Sequence, residues 1–141
     1  MNGEEKVVKH LEMTQAVINR LGSNSFLLKG WSMTIIVAAM VLMARYDRES
    51  PFILLSLIIP VIGFGILDGY FLWQERLFRK VYDEIRKQET TDFSMNPMKH
   101  KDKPKCSWIA STFSVTLNIF YGIEILLLVG VFSILKYYEG Y

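Results

Sequence analysis

Three long stretches almost free of charge, set among charged segments, constrain this chain more than any other feature. The first centres on residues 31–44, the second runs over 51–73, and the third over about 108–137. A hydrocarbon core of about 30 Å takes about 20 residues of helix to cross. The second and third stretches reach that length unaided. The first reaches it when residues 26–30 are added, with Lys29 snorkelling toward the headgroups. Trp31, Tyr46, Tyr70, Trp73, Trp108, Tyr137 and Tyr138 fall near the ends of the stretches, where interfacial aromatics belong. The pattern predicts an all-α integral membrane protein with three transmembrane helices.

Charge orients it. Thirteen of the sixteen Lys and Arg lie either in the N-terminal arm (Lys6, Lys9, Arg20, Lys29) or between the second and third spans, from Arg76 to Lys105. Only Arg45 and Arg48 separate the first two spans, and only Lys136 follows the third. Basic loops stay cytoplasmic, so the N-terminus is expected inside and the C-terminus outside. The expected segments are a cytoplasmic amphipathic helix over 1–24, a first span over 25–46, and a second over 51–88 that includes a cytoplasmic extension. A basic cytoplasmic loop over 89–106 and a third span over 107–138 follow. A signal peptide is not expected, because residues 1–27 contain no apolar core.

Within the N-terminal arm, Val7, Leu11, Thr14, Ile18 and Leu21 recur at spacings of four and three, which predicts a helix over 4–21. Gly22-Ser23-Asn24-Ser25 is expected to stop it and cap the next helix. Leu77, Phe78, Val81, Tyr82 and Ile85 carry the second span's apolar stripe onward to about Gln88. The two stripes either pack on each other as a helical layer or the first lies on the bilayer surface. The near-cancellation of Glu4, Glu5 and Glu12 against Lys6, Lys9 and Arg20 disfavours the surface.

Ionisable groups inside a span are costly and are the first candidates for function. Asp68 falls near the cytoplasmic end of the second span, with Lys29 or Arg20 as its partner. Asn19, Arg20, Asn24, Ser25, Lys29, Asp68, Gln74, Glu75, Arg76 and Arg79 converge on the same rim. They form either a ligand or gating site for an anionic group or a set of caps and ion pairs. Glu124 lies inside the third span and must face protein or water, or be protonated. Ser107, Ser111, Ser114 and Asn118 form a polar stripe roughly opposite to it. Two polar faces on one span fit either a homo-oligomer or an interior contact among three helices. Pro60 is expected to kink the second span. The Gly65–Gly69 spacing allows close approach of the first span or a second subunit.

Other chemistry finds no footing. One cysteine, Cys106, and two histidines, His10 and His100, offer neither a disulfide framework nor a zinc set. No catalytic motif is present, so neither an enzyme nor a cofactor is expected. A net charge of +2 gives no reason to expect nucleic acid. Membrane lipid is the partner the composition demands.

The segments HLEMTQAVINRLGSNSFLLKGW (10–31) and LDGYFLWQERLFRKVYDEIR (67–86) resemble the SLATT-type and related transmembrane effectors of bacterial antiviral systems. The likeness covers about residues 10–95 and includes Asn19, Arg20, Asn24, Ser25, Lys29, Trp31, Asp68, Gln74, Glu75, Arg76 and Arg79. It implies an inner-membrane effector of abortive infection that self-associates and disrupts the membrane or forms a pore. A separate cytoplasmic sensor protein or a nucleotide signal would activate it. A small channel or transporter subunit, and a membrane anchor for a soluble partner, are the other classes the residues allow.

Overall fold

A computed structural model describes residues 2–45, 52–103 and 106–139. Tyr46, Arg48, Pro51 and Lys105 of the sequence argument lie outside the described residues. Helix α1, Gly3–Arg45, is 43 residues long, about 65 Å at 1.5 Å per residue, which is about twice a hydrocarbon core. Its first turn is closed by a capping box. The Glu5 N–H donates to Asn2 Oδ1 at 2.8 Å, and the Asn2 N–H donates to Glu5 Oε2 at 2.9 Å.

The expected stop at Gly22-Ser23-Asn24-Ser25 does not occur. Such residues cost a helix at most about 1 kcal/mol each relative to alanine, and packing overrides that here. The inward seam passes through them with its period unchanged. Val7, Leu11, Thr14, Ile18, Leu21, Ser25, Leu28 and Ser32 alternate steps of four and three, and all are buried or half-buried. A seven-residue period sustained over more than three heptads holds one face against a partner helix.

That partner is α3, Ile58–Ile85, the central element of the molecule. A short helix α2, Phe52–Ser56, precedes it, and the two are interrupted at Leu57. The interruption lies three residues before Pro60, which has no N–H to donate to the Ser56 carbonyl. Restarting the helix puts Pro60 in the first turn of α3, where a missing donor costs little. The third apolar stretch is also broken, at Phe113-Ser114, into α4 (Trp108–Thr112) and α5 (Val115–Glu139). The α3 helix packs against α1, α4 and α5, and α2 packs against α5.

Two apolar clusters follow. Ile36, Leu54, Val61, Leu117, Tyr121 and Leu128 form the core where the three apolar stretches meet. Val7, Val81 and Ile85, with Leu11 against them, join the N-terminal end of α1 to the C-terminal end of α3. These two ends form a stalk at one end of the bundle.

Within the chain, the spacing of Gly65 and Gly69 serves the third stretch and not the first span. A Cβ on Gly65 would touch the Tyr121 ring at 3.4 Å, whereas one on Gly69 would lie 2.7 Å from the Thr112 Cα. Close approach of α4 to α3 therefore needs a glycine at 69.

Three helices, within 3–43, 52–85 and 115–138, are long and apolar enough to cross a membrane, and no strand occurs among the described residues. Only 11%, 22% and 22% of their most apolar windows is buried inside the molecule. Phe26, Val37, Val41, Ile59, Ile66, Ile119 and Leu126 are exposed. So much outward apolar surface is unfavourable in water and favourable in lipid. The chain is compatible with a multi-pass membrane protein.

Candidate functional site

The polar residues of the sequence argument separate into distinct groups. At the first, where the stalk meets the bundle, Asp68 of α3 is fully buried. Its carboxylate accepts hydrogen bonds from Ser25 Oγ and Lys29 Nζ of α1, and from the Tyr121 hydroxyl of α5 at 3.1 Å. Lys29 Nζ also donates to Ser25 Oγ at 2.9 Å. Ser25 and Lys29 stand four residues apart, one turn of the same face, so α1 presents both to one carboxylate. Lys29, not Arg20, is the partner of Asp68, and Arg20 is exposed. One buried anion thus receives a cation and two hydroxyls from two other helices.

The rest of the rim divides further. Glu75 Oε1 accepts from both Arg79 Nε at 2.9 Å and Arg79 Nη2 at 2.7 Å, an ion pair one turn apart on α3. Arg76 reaches α4, donating to Ser111 Oγ at 3.1 Å and to the Ala110 carbonyl at 3.4 Å. Asn19 accepts from Gln15 on the exposed side of α1 at 2.8 Å. Asn24 is half-buried and Gln74 is buried. These contacts thus fall into separate groups along α1 and α3.

Glu124 forms the second group. It is buried on α5, and its Oε2 accepts from Ser32 Oγ of α1 at 2.6 Å. Within the chain this is a contact between the first and third apolar helices. The polar stripe expected on the same span does not persist, because the break at Phe113-Ser114 divides it. Ser111 is buried against Arg76, Ser114 is half-buried, Ser107 precedes α4 at the surface, and Asn118 is exposed, its Nδ2 donating to the Phe113 carbonyl at 3.3 Å.

A third site lies in the segment expected to be a plain basic loop. Residues 89–103 return along the stalk and include a 3₁₀ turn over Pro97–His100. The buried His10 of α1 meets Thr91 there, Nδ1 to Oγ1 at 2.6 Å, and its ring lies 5.5 Å from that of Phe93. Phe93 adopts a left-handed φ of 61°, a strained state for a side-chain-bearing residue, held by the Thr91 and Asp92 side chains accepting from the next two amides. His100 Nε2 stands 3.1 Å from Glu84 Oε2 of α3. Burial pushes the His10 imidazole below its ordinary range, and the Asp92 carboxylate partly offsets that. Beside it is a cavity of about 430 Å³, whose polar lining includes Glu84, Asp92, Asn96 and Lys99.

Three of these partners escaped the sequence reading. Ser32 carried a usable signal, since it falls seven residues after Ser25 in the α1 seam, and two polar residues in an apolar seam call for polar partners. Tyr121 sits one turn before Glu124, inside an apolar stretch where an aromatic side chain carries no polar signal of its own. The His10–Thr91 contact spans 81 positions, with no local signal at all.

Among the described residues, no cluster of three or more His, Cys, Asp or Glu side chains is placed to hold a metal ion. The chemistry these groups offer is charge pairing, hydrogen bonding and proton exchange. No family model, curated protein or solved structure matches this chain.

Proposed function

We propose that the chain is an effector of a bacterial antiviral system, acting on the inner membrane by self-association and disruption or pore formation. In this reading the N-terminus and the stalk are cytoplasmic and the C-terminus is outside, as the distribution of basic residues requires. The stalk, formed by the N-terminal half of α1, the end of α3 and the return segment 89–103, is where a sensor protein or nucleotide signal acts. The observation that carries the reading is the node at Asp68. It ties all three apolar helices together at the junction between stalk and bundle. A displacement of the stalk is felt there first, because Ser25 and Lys29 lie on the same continuous helix as Val7 and His10.

A single copy already buries Glu124 and Ser111, so in this reading the surface on which copies meet lies elsewhere. The exposed face of α5, with Asn118, Ile119, Ile123 and Leu126, takes that part in this reading. The test is inducible expression in a bacterial host, with growth, membrane potential and in-membrane cross-linking followed together. The reading expects loss of potential accompanied by cross-linked multimers. Full potential with a correctly inserted, monomeric chain under activating conditions would leave a membrane anchor as the better account.

A further inference from the structure

We propose that Glu124 and Ser32 form a proton-binding site inside the bundle. Glu124 is 1% exposed, and its two oxygens are unequally served. Ser32 donates to Oε2 at 2.6 Å, while Oε1 has no hydrogen-bond partner among the described residues. No ion pair includes Glu124 among those residues either. The charged and titratable groups nearest to it are committed to another site. Lys29 of α1 is given to Asp68 and Ser25, Asp68 of α3 is filled by its three donors, and the Tyr121 hydroxyl, one turn away on α5, points to Asp68.

A carboxylate with one neutral donor cannot be held charged in an apolar interior, where an unpaired ion costs several kcal/mol. Taking up a proton from hydronium on Oε1, with water as the only product, resolves the larger of these shortfalls, the unpaired charge. The charge is removed, and the acid keeps Oε2 as acceptor for Ser32. The ligand of this site is therefore the proton itself.

Its surroundings also give the site a direction. One turn toward the stalk lies the polar set of Tyr121, Asp68, Lys29 and Ser25, and the Lys29 side chain is 19% exposed. One turn the other way α5 buries Leu128 completely, in the apolar cluster with Ile36 and Leu54. Glu124 thus lies between that polar set, whose Lys29 reaches toward solvent, and the closed apolar cluster. This inference does not depend on toxicity or on any partner.

The test uses the full chain in liposomes at neutral pH, treated with the membrane-soluble reagent dicyclohexylcarbodiimide, which adds to protonated carboxyls. Peptide mapping by mass spectrometry should place the adduct on Glu124 and leave Asp68 unmodified. Glu124→Gln should abolish the adduct and melt like the parent chain, because the amide is a neutral isostere of the bound acid. Infrared spectra should show a protonated-carboxyl carbonyl band that this variant loses. An unmodified Glu124 without that band, or a Glu124→Gln variant as destabilised as Asp68→Asn, would overturn the proposal.

Discussion

Asp68 and Glu124 are both carboxylates buried among the same three helices, and the molecule treats them in opposite ways. Asp68 is surrounded by donors from two neighbouring helices, one of them cationic. Glu124 has a single hydroxyl and an unserved oxygen. The position of each along the helices accounts for the difference. Asp68 sits at the level where α1 leaves the apolar bundle, so a lysine there can neutralise it and still reach the edge with its charge. Glu124 sits one turn deeper, beside Leu128, where a second cation would have no such outlet. An ion pair is affordable at the rim; deeper in, a neutral acid is the cheaper state.

The largest effect that would break this comparison is the loss of one member of the Asp68 pair. Asp68→Ala strands Lys29 at a partly buried site and is expected to cost about 3–5 kcal/mol, read as the unfolding free energy in mixed micelles. A loss under about 1 kcal/mol, the size of an exposed pair, would mean that the node is solvated.

Next in size is the packing that brings the third stretch close enough to supply Tyr121. Gly69→Ala forces a methyl into the Thr112 backbone and is expected to cost about 1–3 kcal/mol. Gly65→Ala meets the Tyr121 ring at ordinary contact distance and should change stability by no more than about 0.5 kcal/mol. The same unfolding assay reads both, and equal losses would place α4 further from α3 than described.

The smallest effect lies at the stalk, where His10 is buried next to Thr91. Its folded-state proton affinity is lowered, so the unfolded or detached state binds more protons as pH falls. Attachment of residues 89–100 is therefore complete above the ordinary value of 6.5 and weakens below it. Clipping of that segment by proteinase K should accelerate below this pH in a His100→Gln background, where only one imidazole titrates. Adding His10→Leu should flatten the profile; an unchanged profile would assign the pH response elsewhere.

How much of this was legible depends on whether the signal was local. The three apolar stretches carried the helices, because spanning length and low charge are properties of consecutive residues. Asp68 announced itself as an ion inside a span, with Lys29 among its possible partners. The continuity of α1 was missed because Gly22-Ser23-Asn24-Ser25 has the chemistry of a stop, and only the seam shared with α3 overrides it. The break at Phe113-Ser114 carries neither proline nor glycine, so a continuous stripe through Ser107, Ser111, Ser114 and Asn118 was the natural reading. The return of residues 89–103 onto His10 depends on contacts far apart in sequence, which periodicity does not report.

The account rests on Lys29 and Asp68 being one interacting unit within a single chain. A double-mutant cycle with Lys29→Met and Asp68→Leu, measured by reversible unfolding in a bilayer-mimetic, tests it most directly. The expected coupling is about 2–3 kcal/mol, with the double variant more stable than Asp68→Leu alone. Additive losses, with coupling below about 0.5 kcal/mol, would contradict it.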